Sequence, residues 1–129
     1  MKILIIDNDP AMTEMLTLFL HQTAAVIDIA KDAAEGIQLV KECSPDLIIL
    51  DLVKPDTQNW EVCSAIRSLT KVPIIVLSAN DHPGMVARSL NAGADDYLVK
   101  PINGNILLAC INKLMRRINI ENGLNFRVV

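Results

Sequence analysis

Apolar residues concentrate in five short runs, separated by longer segments in which they recur every third or fourth position. The clearest run, Leu47–Leu50, lies between the turn-forming pairs Ser44-Pro45 and Lys54-Pro55 and is closed by Asp51. A continuous apolar run of this length predicts a strand that is buried on both faces. The other predicted strands are Ile3–Ile6, Val26–Ala30, Pro73–Leu77 and Asp96–Val99.

The segments between the strands predict amphipathic helices with recognisable ends. Asp9-Pro10 begins the first helix, and Asp32 is the predicted N-cap of the second, with Glu35 three residues later. Gly93 is expected to take a positive φ after the fourth helix. The residues predicted to face the core are Met12, Met15, Leu16, Phe19 and Leu20 in the first helix, Ala34, Ile37 and Val40 in the second, Trp60, Cys63, Ile66 and Leu69 in the third, and Ile106, Leu107, Cys110, Ile111, Leu114 and Met115 in the last.

The alternation of strands and helices predicts an α/β fold. Each strand–helix–strand unit requires parallel strands joined by a right-handed crossover. Five strands and five helices favour a five-stranded parallel sheet of order 2-1-3-4-5, the doubly wound, flavodoxin-like arrangement. The expected domain spans residues 1–118. Because the helical period breaks at Asn119, residues 119–129 are expected to be a tail or the start of a linker to an effector domain.

Composition narrows the functional classes. The chain of 129 residues is long enough to bury a core, and its net charge of −3 argues against nucleic-acid binding by this domain alone. No apolar run approaches the length of a membrane span. Cys43, Cys63 and Cys110 have no paired or metal-binding spacing and predict reduced thiols. Since Met1-Lys2 is followed by only four apolar residues before an acid, no signal peptide is expected, and the predicted location is the cytoplasm.

Polar side chains follow four of the predicted strands: Asp7, Asp51, Ser78 and Lys100. The carboxyl ends of parallel strands meet at one edge of the sheet, where open α/β folds place their ligand sites. Asp7 and Asp51 suit Mg²⁺, which is typically held by one or two carboxylates, waters and a phosphate. An aspartate at such a site can attack phosphorus, with a lysine neutralising charge and a serine donating to a phosphoryl oxygen.

These residues lie in motifs that resemble the receiver domains of two-component response regulators. The matching stretches are Ile-Ile-Asp-Asn-Asp-Pro around Asp7, Leu-Ile-Ile-Leu-Asp-Leu-Val-Lys-Pro around Asp51, Pro-Ile-Ile-Val-Leu-Ser-Ala around Ser78 and Gly-Ala-Asp-Asp-Tyr-Leu-Val-Lys-Pro around Lys100. The resemblance covers residues 1 to about 117. It is closest to receivers that are attached to winged-helix DNA-binding domains.

The resemblance implies a role for each residue. Asp51 would accept phosphate from a sensor histidine kinase, with Asp7 and the backbone carbonyl of Val53 at Mg²⁺. Ser78 and Tyr97 would form the switch pair, and Lys100 would contact the phosphate and the carboxylate. The Lys100-Pro101 peptide would be cis. The domain would act in phosphorelay signalling, with no enzymatic activity beyond its own phosphorylation and dephosphorylation.

Two departures from the family pattern concern the site. Asn8 stands where a second acid is usual and would ligate or orient a water without adding charge, which predicts weaker Mg²⁺ binding. Asp9 is not expected to substitute for it, because the strand period directs Asp9 away. Asn59 stands where the loop usually has glycine, and Asn tolerates the left-handed conformation.

A third departure concerns the face formed by the fourth helix, fifth strand and fifth helix, through which relatives typically dimerise or contact effectors. Met85, Val86 and Cys110 occupy positions where charges are usual. Asp96 is retained without its expected arginine partner. The usual dimer is therefore in question, and Met85 with Val86 predict an exposed apolar patch for another contact.

Two other functions remain open at this point. A pseudo-receiver would act by protein binding without phosphorylation, a hypothesis favoured by Asn8. A haloacid-dehalogenase-like phosphatase would use Asp7 as nucleophile, because Asp7-Asn8-Asp9 after an apolar strand resembles that family's motif. The second hypothesis is the weaker one, because the chain has no room for a cap domain.

Overall fold

The computed structural model describes residues 1–52 and 59–122, with side chains as far as residue 120. The strands are β1 (Lys2–Asp7), β2 (Val26–Ala30), β3 (Leu47–Asp51), β4 (Ile74–Ser78) and β5 (Asp96–Val99). The helices are α1 (Pro10–Leu20), α2 (Ala33–Cys43), α3 (Asn59–Arg67), α4 (Pro83–Asn91) and α5 (Gly104–Asn122). A single 3-10 turn, His21–Thr23, follows α1.

The five strands form one parallel sheet in the order β2-β1-β3-β4-β5, which confirms the predicted topology. Every residue of the central strand β3 is buried, whereas the edge strands β2 and β5 are partly exposed. The burial follows from the connections, because α1 and α5 cover one face of the sheet and α2 and α3 the other.

The alternation of side chains along each strand sorts the core into two layers. Ile3, Ile5, Leu47, Ile49, Ile75 and Leu77 pack with α1 and α5. Leu4, Ile6, Ile48, Leu50, Ile74 and Val76 pack with α2 and α3. By the same alternation, Asp7 and Asp51, which end β1 and β3, project to the face of the first layer. Lys100 does so as well, because it follows the partly buried Leu98 of that layer by two positions.

The predicted helix ends are confirmed by their capping bonds. Asp9 Oδ1 accepts a hydrogen bond from the backbone of Ala11 at 3.0 Å, and Asp32 Oδ1 accepts one from Glu35 at 2.8 Å. Such bonds satisfy amides that have no partner within the helix. Ser44 ends α2 in the left-handed conformation, and Gly93 has φ +120° as expected.

Some predicted core positions face solvent. In α1, Leu16 and Leu20 are buried but Met15 is 46% exposed. In α2, Ala34 is exposed because the helix turns Gly36 towards β1, so closely that a Cβ at Gly36 would lie 2.6 Å from Ile6 Cδ1. Two residues correspond to about 200° of rotation around a helix, so position 34 must point outward.

Two further core predictions fail at helix ends. Leu69 is exposed because α3 ends at Arg67, and Ile106 is 54% exposed in the first turn of α5. The rest of the α5 prediction holds for Leu107, Ile111, Leu114 and Met115, which are all buried.

Helix α5 continues through Asn122, beyond the break predicted at Asn119. Arg117, two residues earlier, is tied to Asp95 at 2.7 Å, and Ile118 and Asn119 are partly buried, so tertiary contacts extend the helix beyond its sequence signal. Residues 123–129 of the predicted tail lie outside the described residues. Among the described helices, none is long and apolar enough to cross a membrane.

Candidate functional site

Two buried aspartates face each other at the carboxyl edge of the sheet. Asp7 ends β1 and is paired in register with Asp51, which ends β3. Asp51 is fully buried, and Asp7 is 2% exposed. Residues that are paired in a parallel ladder project to the same face, so the predicted convergence of the two carboxylates is found in the structure.

Lys100 completes the charged centre. Its Nζ lies 2.8 Å from Asp51 Oδ1, and four-fifths of the lysine side chain is buried. The backbone N–H of Lys100 donates to the carbonyl of Ser78 at 2.8 Å, which extends the β4–β5 pairing up to the site. The following peptide, Lys100-Pro101, is cis as predicted.

Burial makes both carboxylates hard to ionise. Desolvation raises the pKa of Asp7 to about 6, against a backbone hydrogen bond from Asp9 that lowers it. Desolvation also raises the pKa of Asp51, while the hydrogen bond and charge of Lys100 oppose the rise. The site places two carboxyl groups beside one ammonium. When both carboxyl groups are ionised, their negative charge exceeds the positive charge of Lys100.

The carboxylates retain oxygens that can take a cation. Asp7 Oδ2 and Asp51 Oδ2 are buried and have no hydrogen-bond partner among the described residues. Unpartnered buried oxygens are costly, and a divalent cation would satisfy both. No group of three or more Asp, Glu, His or Cys residues in the described ranges could form a fully protein-made cage. A pair of carboxylates fits Mg²⁺, which keeps several waters.

The remaining predicted metal ligands stand as follows. Val53 lies outside the described residues. Asn8 lines, together with Asp7, a groove of about 470 Å³ between α1 and β2. Asp9 is turned to the N-terminus of α1, where its carboxylate caps the helix.

Ser78 and Tyr97 meet at a third residue, Asn80. Ser78 Oγ accepts a hydrogen bond from the backbone of Asn80 at 3.1 Å. The Tyr97 hydroxyl donates to the Asn80 carbonyl at 2.7 Å. The hydroxyl of Ser78 is thus bound to the loop after β4 rather than to the carboxylate pair, and both members of the predicted switch pair hold the same loop residue.

Asn59 is the first residue of α3. Its side-chain oxygen accepts a hydrogen bond from the backbone of Leu52 at 3.3 Å. This hydrogen bond links the first residue of α3 to the residue that follows Asp51.

Sequence reasoning missed several contacts between elements. Arg67 donates to the carbonyls of Gly93, Thr70 and Val72 and forms a 2.9 Å ion pair with Asp95. The guanidinium carbon of Arg88 lies 5.1 Å from the centroid of the Trp60 ring. Arg67 and Asp95 are 28 residues apart along the chain, and so are Trp60 and Arg88. No local pattern could have identified these two pairs.

The face formed by α4, β5 and α5 also differs from the prediction. Met85 and Val86 are half-buried, and the large apolar residues that are exposed on these three elements are instead Leu90, Val99, Ile106 and Ile120. Asp96 does have a cationic partner, Lys113 at 3.1 Å. Burial would raise the pKa of Asp96, but hydrogen bonds from Cys110, the Tyr97 amide and Lys113 lower it.

Comparison with known proteins gives a consistent result. The family model for the response regulator receiver domain matches residues 3–112. The chain is 38% identical over 116 residues to the transcriptional regulatory protein AfsQ1 of Streptomyces coelicolor, covering 90% of this chain and 52% of that protein. It is 35% identical over 116 residues to the DNA-binding response regulator MtrA of Mycolicibacterium smegmatis, covering 90% of this chain and 51% of the relative. The chain therefore spans about half the length of the curated relatives it matches.

Solved structures agree with the fold. A two-component response regulator from Clostridium difficile superimposes with a TM-score of 0.87 at 36% identity, covering 92% of this chain and 98% of that structure. A CheY-like receiver domain protein from Methanospirillum hungatei gives a TM-score of 0.87 at 28% identity, with coverage of 94% and 98%.

Proposed function

We propose, because this chain belongs to the response regulator receiver domain family, that Asp51 is its phosphoacceptor and that a sensor histidine kinase is the donor. The family acts in two-component phosphorelay signalling, and its members are in general signal transducers rather than enzymes. The observation that carries the assignment is the ion pair of buried Asp51 with Lys100, beside a second buried carboxylate at the same strand edge.

The proposed step is a phosphoryl transfer. A carboxylate oxygen of Asp51 forms a bond to phosphorus, and the bond from phosphorus to the donor histidine nitrogen breaks, with its electron pair remaining on that nitrogen. The product is an acyl phosphate. Lys100, held 2.8 Å from the acceptor carboxylate, is placed to neutralise negative charge on the transferred group.

Mg²⁺ is the proposed cofactor. Asp7 and Asp51 would hold it, with Asn8 and the Val53 backbone carbonyl as further candidate ligands, and it would supply positive charge to the transferred phosphoryl group. The two unpartnered carboxylate oxygens and the pKa of Asp7, raised to about 6 by burial, support a cation site. Because ionised Asp7 is required, Mg²⁺ binding should strengthen as the pH rises through about 6.

The proposed output is a rearrangement of the loop after β4. Phosphorylation adds about one negative charge and three acceptor oxygens at Asp51. The Ser78 hydroxyl, now bound to the Asn80 amide, would turn to the phosphoryl group, and the Tyr97 hydroxyl on the same residue would follow. An effector domain or partner protein would read the change at the α4–β5–α5 face.

The proposed setting is the cytoplasm, where the three free cysteines stay reduced. The kinase and the effector contact are proposals for the whole protein, since this chain aligns with about half the length of its relatives.

The experiment is labelling with acetyl phosphate and Mg²⁺, followed by intact mass. The wild type should gain one phosphoryl group, and Asp51→Asn should gain none. Asp81→Asn, which alters an exposed aspartate in the loop after β4, is the matched control and should label normally. Label that survives Asp51→Asn but is lost in Asp7→Asn would support a phosphatase of the haloacid-dehalogenase type. A wild type that never labels with Mg²⁺ would support a pseudo-receiver.

A further inference from the structure

The first turn of α3 contacts both the residue that follows Asp51 and the last turn of α4. Asn59 accepts a hydrogen bond from the backbone of Leu52, the residue after the proposed phosphoacceptor. Trp60, the next residue, has the guanidinium of Arg88 over its ring at 5.1 Å. Arg88 lies in the last turn of α4. Two consecutive residues therefore join the end of β3 to α4.

The second contact has the geometry of a cation–π interaction. A guanidinium within about 6 Å of a ring centroid is attracted by the ring, and tryptophan is the strongest aromatic partner. Trp60 is half-buried and Arg88 is exposed, so the contact lies at the surface between α3 and α4. A contact of this kind changes an equilibrium by about two- to fivefold.

The rest of α3 is anchored. Val62, Cys63 and Ile66 are buried in the layer that covers β3. Packed interiors deform little, so α3 does not absorb a displacement of its first turn by sliding as a whole. A shift of the Leu52 backbone would therefore be taken up in the first turn of α3, where the residue that binds Leu52 and the residue that contacts Arg88 are adjacent.

We propose that Asn59 and Trp60 form a second coupling route from Asp51 to α4, separate from the route through Ser78 and Tyr97. The inference rests on the proposed function, since it assigns a regulatory connection to the same phosphoacceptor. The Trp60–Arg88 contact is present in the unmodified protein and stabilises its α4 arrangement. Phosphorylation weakens it, and Asn59 and Arg88 act as positioning residues rather than as groups that touch the phosphoryl group.

The test uses the full 129-residue chain, in which Trp60 is the single tryptophan. Beryllofluoride with Mg²⁺ serves as the phosphoryl mimic, its affinity is measured by calorimetry, and Trp60 emission is recorded in parallel. The variants are Arg88→Gln, Arg88→Lys, Asn59→Ala and the double variant Asn59→Ala with Arg88→Gln. Arg116→Gln, which alters an exposed arginine on α5, is the matched control for loss of charge.

In the wild type, Trp60 emission should change on binding. Arg88→Gln should bind beryllofluoride about two- to fivefold more tightly, because a contact of the unmodified state is lost. Arg88→Lys should lie between it and the wild type, and Arg116→Gln should match the wild type. In the Asn59→Ala background, Arg88→Gln should no longer alter the affinity for beryllofluoride, because the hydrogen bond between the Leu52 amide and the Asn59 side chain is already absent.

Two results would overturn the coupling route alone. One is beryllofluoride binding that leaves Trp60 emission unchanged. The other is an Arg88→Gln effect of the same size with and without Asn59. If the wild type binds no beryllofluoride and gains no mass from acetyl phosphate, the proposed function fails and the coupling route fails with it.

Discussion

Replacing Asp7 with asparagine should make the metal-free protein less sensitive to pH. Asp7 is 2% exposed, and burial raises its pKa from 3.8 to about 6. The folded protein therefore holds a proton on Asp7 at pH values where the unfolded chain has released it. Unfolding free energy falls as the pH rises wherever the folded state binds more protons.

The magnitude follows from the size of the pKa change. A rise from 3.8 to about 6 is about two pH units, and each unit corresponds to about 1.4 kcal/mol. Ionised Asp7 thus costs the folded state about 3 kcal/mol relative to the protonated form. The cost is absent below about pH 4, develops between about pH 4 and pH 6, and is complete by about pH 7.

The substitution Asp7→Asn keeps the shape of the side chain and the oxygen that accepts the Asp9 amide at 2.8 Å. Any cost of burying the new amide group is independent of pH. At each pH, the unfolding free energy of the wild type is subtracted from that of the variant. The informative quantity is how this difference changes with pH. That difference should become more favourable to the variant by about 3 kcal/mol between about pH 4 and pH 7.

Urea unfolding in metal-free buffer, followed by circular dichroism, measures this difference across the pH range. Asp81→Asn, at an exposed position, is the control and should differ from the wild type by a constant amount. Saturating Mg²⁺ should remove most of the advantage of Asp7→Asn at pH 7, because the cation binds ionised Asp7 in the folded state. A variant-minus-wild-type difference that stays flat from about pH 4 to pH 7 would refute the reasoning.

Three further predictions concern other residues. Asn8→Asp should tighten Mg²⁺ binding because it adds a carboxylate, and a calorimetric titration that gives equal affinities would contradict this. Gly36→Ala should destabilise the fold by about 1–3 kcal/mol, since its Cβ would meet the buried Ile6 side chain at 2.6 Å; thermal unfolding unchanged from the wild type would show that α2 shifts freely. Arg67→Lys should cost about 1–3 kcal/mol, because a single ammonium cannot replace bonds to three carbonyls and Asp95; urea midpoints that match the wild type would contradict this.

The strands and the site edge were accessible from the sequence because their signals are local. An apolar run such as Leu47–Leu50 can only be buried, and the acid that closes it must lie at the strand end. Helix starts were accessible for the same reason, since Asp9 and Asp32 cap amides two or three residues away. Helix orientation was not accessible, because the exposure of Ala34 depends on how closely Gly36 approaches Ile6.

Periodicity and strand polarity are properties of the chain, and they were sufficient to predict the parallel α/β fold, the strand order and the set of residues that gather at one edge. Packing in three dimensions was needed to establish which charges touch and how strongly each carboxylate is desolvated. It placed Asn59 against the Leu52 amide and Arg88 over Trp60. These contacts join residues from different elements, so they depend on packing distances that no local pattern encodes.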